Sequence, residues 1–110
     1  MAVVVKALIP AKDAENAQTT QYTATGVKAI IDKFTGRNHT AGAVTLAVNL
    51  VTSAGAAAAT NLVVSKSLAA GETYTFPELV GQVLDEGGFI STIAGAGASI
   101  AIRASGREIT

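Results

Sequence analysis

The chain has 110 residues, a length typical of one domain, and its eight Lys and Arg balance eight Asp and Glu to a formal net charge of zero. Charged residues make up 15% of the sequence, against about 25% in an ordinary domain, and no basic excess is available to bind phosphates, so we expect no nucleic-acid partner. No apolar run approaches the ~20 residues of a membrane-spanning helix, so we expect no membrane partner either.

The N-terminal segment lacks the order of a secretory signal, because no basic residues precede its apolar run and Lys6 interrupts it. We therefore expect the protein to be made in the cytoplasm. Cysteine is absent, which excludes disulfides and thiol chemistry.

Residues 1–20 are predicted to form an extended N-terminal strand or arm within a single domain that spans residues 1–110. Val3–Ile9 is typical of a strand, whereas Pro10–Thr20 is polar and rich in Ala, which indicates an exposed connection. An unpaired apolar strand is a template for pairing with another chain. The predicted partner-binding residues are therefore Val3, Val4, Val5 and Lys6.

Alternating apolar and polar residues predict short strands along the whole chain, most clearly where Val44, Leu46, Val48 and Leu50 share one face. Eight short strands in a chain of this length predict an all-β fold, an antiparallel β-sandwich with one short helix. The predicted strands are Val3–Ile9, Gln21–Thr25, Val27–Thr35, Ala43–Val51, Asn61–Leu68, Glu72–Phe76, Gly88–Ile93 and Ala98–Ala104.

The composition of the connections predicts their type. Gly36–Thr40 and Ser53–Thr60 are expected to be loops, Ala69–Gly71 a tight turn, and Ala94–Gly97 a hairpin turn. Pro77–Leu84 is the helical candidate, because Pro suits a first helical turn and several apolar residues fall on one face.

The predicted core consists of the inward-facing residues of the two sheets. These residues are Val44, Leu46, Val48, Leu62, Val64, Tyr74, Phe76, Ile93, Ile100 and Ile102.

The residue pattern gives no support for catalysis. His39 is the only histidine, which excludes a site with two or more histidine ligands. The nearest carboxylate pairs, Asp85-Glu86 and Asp13 with Glu15, lie beside turn signals and are expected to be solvated. Gly95-Ala96-Gly97 precedes a predicted strand where a phosphate-binding loop requires a helix. We therefore expect no enzyme activity, no metal and no cofactor.

The second half of the chain resembles the small virion proteins of tailed bacteriophages. The residues that carry the resemblance are the turn Gly71-Glu72-Thr73, the segment Pro77-Glu78-Leu79-Val80-Gly81, the strand start Gly87-Gly88-Phe89-Ile90 and the terminal Ala104-Ser105-Gly106-Arg107-Glu108-Ile109. In size and in its opening segment Ala2–Thr25, the chain is also similar to the staple, or decoration, proteins on the heads of short-tailed phages of the epsilon fifteen type.

The resemblance implies a β-sandwich or jelly roll on the outer capsid surface, with the major capsid protein as partner and the N-terminal arm as the clamp. It implies a homo-oligomer, a dimer or trimer, located on the virion. Two alternatives stay open: a neck or tail structural protein of similar composition, and a carbohydrate-binding module, which would want exposed Trp or Tyr. The sequence contains no Trp.

Overall fold

Two antiparallel sheets packed face to face form the body of the protein, as seen in a computed structural model that describes residues 2–110. One sheet has the strand order β1-β9-β3-β6, with β7 also paired to β3, and the other has the order β2-β8-β4-β5. The strands are β1 (Val3–Asp13), β2 (Thr19–Thr23), β3 (Lys28–Asn38), β4 (Val44–Val51), β5 (Leu62–Leu68), β6 (Thr73–Tyr74), β7 (Val83–Leu84), β8 (Phe89–Ala94) and β9 (Ile100–Ile109).

The pairing is nested: β1 pairs with β9, β2 with β8, β3 with β6 and β7, and β4 with β5. The first half of the chain thus pairs in reverse order with the second half, which is the topology of a jelly roll. The predicted all-β, antiparallel sandwich is confirmed.

The core lies between the two sheets, and β3 illustrates why. Ala29, Ile31 and Phe34 are completely buried, and the rings of Phe34 and Phe76 meet edge to face with centroids 5.1 Å apart. Of the predicted core residues, Leu46, Val48, Val64, Phe76, Ile100 and Ile102 are buried, while Val44 and Tyr74 are half-buried and pack against them. Ile93 was assigned wrongly to the core, because it lies between the buried Thr92 and Ala94 and therefore points to the outer face of its sheet. Leu62 is 42% exposed at the start of an edge strand, so its assignment to the core was wrong.

The first strand is part of the sandwich and runs to Asp13, beyond the predicted end at Ile9. Leu8 and Ile9 are both buried because the register with β9 shifts between Ala7 and Ile9, which turns two consecutive side chains inward. A second shift precedes Lys12, and Pro10 is tolerated because β1 is an edge strand.

The expectation that Pro10–Thr20 is an exposed connection was therefore wrong at both ends, since Pro10–Asp13 belongs to β1 and Thr19–Thr20 to β2. Within residues 1–20, Val3–Asp13 is extended. It is a strand paired along one edge with β9 instead of a free arm.

The predicted helix Pro77–Leu84 was wrong beyond its first turn. Pro77–Leu79 forms one turn of 3-10 helix, and the chain then reverses at Gly81, where φ is +83°. Gly81 N–H donates to the carbonyl of Ile31 at 2.7 Å, and Ile31 N–H donates to the carbonyl of Gln82 at 3.0 Å. Pairing with the open edge of β3 therefore satisfies backbone groups more effectively than a short, isolated helix could.

Two connections also differ from the prediction. β3 continues to Asn38, so the first three residues of the predicted loop Gly36–Thr40 belong to the strand. Ala94–Gly97 is not part of a hairpin, because β8 and β9 lie in different sheets, and β9 starts only at Ile100. Ser53–Thr60 is a loop as predicted, with one 3-10 turn at Ala59–Asn61.

Candidate interaction surface

Three of the predicted partner-binding residues are exposed apolar residues at the start of the first strand. Val3, Val4 and Val5 are 52%, 50% and 77% exposed. They lie opposite Ile109, Glu108 and Arg107 of β9. Among the described residues no strand pairs with the other side of β1, so this segment presents both apolar side chains and an open backbone edge.

The register aligns residues from four strands in one row, and three of the four are apolar. Val5 lies opposite Arg107, Arg107 opposite Ile30, and Ile30 opposite Val83. Opposed residues of antiparallel strands share a face of the sheet, and the flanking Ala29 and Ile31 are buried in the core. The row therefore faces outward, away from the second sheet.

Val3 and Ile109 lie opposite each other two residues further along the same face. We call the set Val3, Val5, Ile30, Val83 and Ile109 the outer-face strip. Val83 is 54% exposed, Ile30 and Ile109 are half-buried, and the nearby Val80 is 51% exposed. Large apolar side chains gathered on one exposed face are typical of a surface that contacts another macromolecule.

Two charged residues, Arg107 and Lys28, lie between the apolar residues of the strip, and each is paired with a carboxylate. Arg107 makes a two-pronged contact with Asp32, from Nε to Oδ2 at 3.0 Å and from Nη2 to Oδ1 at 2.9 Å. Lys28 Nζ lies 3.6 Å from Asp85 Oδ1. The strip is therefore an apolar surface interrupted by locally balanced charges, and a partner needs no strong charge of either sign to approach it.

Lys6, the fourth predicted partner-binding residue, lies on the opposite side of β1 from the strip. Its Nζ is 3.5 Å from Glu108 Oε2, and Glu108 also accepts a hydrogen bond from the Tyr22 hydroxyl of the second sheet. Burial, and then Glu108, raise the pKa of Tyr22 well above its usual value. Lys6 thus belongs to a polar link between the two sheets, and the structure does not bring it together with the outward-facing valines.

Sequence reasoning missed Ile30, Val83 and Ile109 as members of the surface. A signal existed at Ile30-Ile31, since two consecutive apolar residues in an alternating strand place one on each face. Val83 had no such signal, because it was assigned to a helix and its strand is only two residues long.

The titratable residues considered for chemistry form separate, exposed contacts. His39 Nε2 lies 2.7 Å from Asp13 Oδ1, and Lys12 Nζ lies 2.8 Å from Glu15 Oε2. Asp85-Glu86 is an exposed turn, as predicted. Across residues 2–110, no group of three or more His, Cys, Asp or Glu side chains is arranged to hold a metal ion. The same residues contain no helix with the length and apolar character needed to cross a membrane.

A shallow groove of about 230 Å³ lies on the outer face of the second sheet. Asn49 anchors the loop beside it, donating from Nδ2 to the carbonyl of Ala58 at 3.0 Å and to Asn61 Oδ1 at 2.7 Å. The lining residues are Gln18, Ala47, Asn49, Ala57, Ala58, Ala59, Leu62 and Ile93. None of them is aromatic, so the groove lacks a ring on which a sugar could stack.

Comparison with known proteins gives a likeness of fold. No family model matches the chain, and no curated protein matches it in sequence. A solved structure described as "Bacillus endospore appendages form a novel family of disulfide-linked pili" is similar over 98% of this chain and 88% of that one, with a TM-score of 0.52 and 14% sequence identity. At this identity the likeness supports the two-sheet sandwich and carries nothing about activity.

Proposed function

We propose that this protein is a non-enzymatic virion structural protein of a tailed phage, a capsid decoration protein of the staple or cement type. In this proposal it binds the outer surface of the head and stabilises contacts between major capsid subunits, without a metal or cofactor. The protein is made in the host cytoplasm and resides on the virion.

The outer-face strip is the observation that carries the proposal. It sits on a sheet rather than on a flexible loop, so docking costs little conformational entropy. Burying exposed Val side chains stabilises a contact by roughly 25 cal/mol per Å² of apolar surface, which is modest for one copy. On a lattice, many linked contacts add up to a large free energy of binding. Because the protein binds the assembled shell and not the free subunits, it shifts the assembly equilibrium toward the shell.

The first strand belongs to the sandwich, so in this proposal the N-terminus does not act as a flexible clamp. Since Leu8 and Ile9 are core residues, the first strand cannot detach as an arm without opening the sandwich. Contact with the major capsid protein is therefore assigned to the outward side chains of β1, β3, β7 and β9 as a rigid surface.

A second candidate is a subunit of a phage neck or tail, or of another assembled fibre. The fold likeness to a protein described as forming pili favours it, since both chains then use a jelly roll as a building block. Disulfide links, which that description names, are not available to a chain without cysteine. Copy number separates the candidates: a decoration protein covers the head in hundreds of copies, whereas a neck or tail protein forms small rings.

Binding to phage shells tests the proposal. Purified protein is mixed with shells that lack it, and separately with isolated capsid subunits, and bound protein is measured by sedimentation. We expect binding to shells, and we expect Val83→Lys to weaken it at least tenfold because a charge must then be desolvated in the contact. Leu62→Lys is the matched control, since Leu62 is 42% exposed but lies on the other sheet. Equal losses for the two variants, or no binding to shells, would contradict the proposal.

A further inference from the structure

The open edge of β1 is divided into a protected half and an unprotected half. From Ala7 onward the edge carries two register shifts, Pro10 and Lys12, which are devices that prevent pairing with another strand. Val3–Ala7, in contrast, pairs with β9 in unbroken register and contains no Pro, and its one lysine, Lys6, lies 3.5 Å from Glu108 of its own chain. Five consecutive residues of regular, largely apolar edge are thus left without a partner among the described residues.

The other sheet edges are poorer templates. β6 and β7 are two residues long, and β2 reads Thr-Thr-Gln-Tyr-Thr with a register shift in its centre. β5 is longer but carries Lys66 between two serines. Val3–Ala7, with four apolar residues of five, is therefore the most apolar stretch of regular pairing among these edges.

We propose that two copies of this chain pair through Val3–Ala7 of β1 as antiparallel strands around a two-fold axis, which joins the two β1-containing sheets into one continuous sheet. The inference rests on the edge alone and does not depend on the proposed function. Such a contact leaves the outer-face strips of both copies exposed and side by side.

The residue pattern selects one register. A two-fold axis perpendicular to the sheet keeps each side chain on the same face in both copies. Because directly opposed side chains must share a face, the axis has to lie midway between the two copies of one residue. An axis at Lys6 places two lysines directly opposite each other, which is unfavourable. An axis at Val4 leaves only Val3–Val5 paired within the strand. An axis at Val5 pairs the whole of Val3–Ala7, with Val3 opposite Ala7 and Val4 opposite Lys6 of the second copy.

In the selected register the outward face of the contact is apolar and the inward face separates the like charges. Val5 meets Val5 of the second copy at the axis, flanked by the Val3 and Ala7 pairs. Each Lys6 stays beside its own Glu108, at 3.5 Å, and faces a valine across the contact. Because five residue pairs bury much less than the roughly 1,200–2,000 Å² of a stable interface, we expect a reversible dimer with micromolar or weaker affinity.

Single cysteines test the register, since the chain has no native cysteine. Directly opposed residues have Cβ atoms about 4.5–5.5 Å apart, close enough to form a disulfide with small adjustment. We expect Val5→Cys to form a dimer rapidly under mild oxidation on a non-reducing gel. Val3→Cys is the matched control, because the two copies of residue 3 lie about 13 Å apart along the strand. An equimolar mixture of Val3→Cys and Ala7→Cys should cross-link where neither does alone.

A charge exchange tests the dimer without covalent chemistry. Val5→Lys and Val5→Glu should each raise the dimer dissociation constant at least tenfold in analytical ultracentrifugation, and mixing the two variants should restore a dimer. Val83→Lys, on the same face but away from the edge, should dimerise like the parent chain. A parent chain that stays monomeric at millimolar concentration, or cross-linking of Val3→Cys as fast as Val5→Cys, would overturn the inference.

Discussion

At the scale of single residues, two glycines lie where a neighbouring aromatic ring or strand comes too close to leave room for a side chain. A Cβ added at Gly36 would lie 2.8 Å from Cε1 of Phe76, whose own backbone is left-handed with φ of +46°. The ring of Phe76 thus fills the space beside Gly36 and packs against Phe34 and Tyr74. This contact fixes the start of the 3-10 turn at Pro77.

Gly106 is the more severe case and gives the first prediction. A Cβ there would overlap the carbonyl oxygen of Ile30 and lie 2.7 Å from Cδ1 of Leu8, so the backbone of β3 would have to move. We expect Gly106→Ala to lower the free energy of unfolding by about 1–3 kcal/mol or more, measured by urea denaturation. Gly42→Ala is the control, because nothing lies within 4 Å of its Cβ position. Similar losses in both variants would show that crowding at β9 is not the cause.

At the scale of elements, β1 has two functionally different halves. Ile9 is fully buried, whereas Val3 is 52% exposed on the outer-face strip. We expect Ile9→Ala to cost about 2–5 kcal/mol of stability, since it leaves a cavity between the sheets. Val3→Ala should change stability by less than about 0.5 kcal/mol, as surface substitutions usually do. Thermal or urea unfolding of the two variants checks this, and a large loss for Val3→Ala would place the first half of the strand in the core as well.

The elements also show how far the sequence alone could lead. Alternation in Val44–Val51 predicts β4 because that signal is local, and the buried Leu46 and Val48 follow from it. The pairing of β1 with β9 links residues about a hundred positions apart, and no local pattern encodes it. β7 was missed because Leu79–Leu84 has helical spacing, while the open edge of β3 decided its conformation.

The candidate surface was predicted only where it is continuous in sequence. Val3, Val4 and Val5 are consecutive apolar residues at the chain start, so they could be identified without a fold. Ile30, Val83 and Ile109 reach the face of Val3 and Val5 through three other strands, which only the register reveals, whereas Val4 lies opposite Glu108 on the other face. The side of β1 on which Lys6 lies likewise depends on the register.

At the scale of the whole molecule, the nested pairing brings both described ends of the chain together. Thr110 N–H donates to the carbonyl of Ala2 at 3.0 Å, and Ala2 N–H donates to Thr110 Oγ1 at 3.2 Å. The loop Ser53–Thr60 lies between β4 and β5, where the chain turns back on itself, and most of its residues are exposed. The nested strand pairs are therefore connected by that loop at one end, and the two described chain ends lie side by side at the other.

This geometry predicts that the chain tolerates circular permutation. A variant that joins Thr110 to Ala2 through a short flexible linker and opens between Gly55 and Ala56 keeps every strand and every strand pair. We expect it to fold to the same β-rich circular dichroism spectrum, with a free energy of unfolding within about 1 kcal/mol of the parent, because closing one short loop and opening another exchange similar entropies. A permutant opened between Ala7 and Leu8 is the control, since it cuts β1 beside its buried residues and should be much less stable. If the first permutant fails to fold while an insertion at the same position in the parent chain is tolerated, the nested pairing alone does not determine the fold.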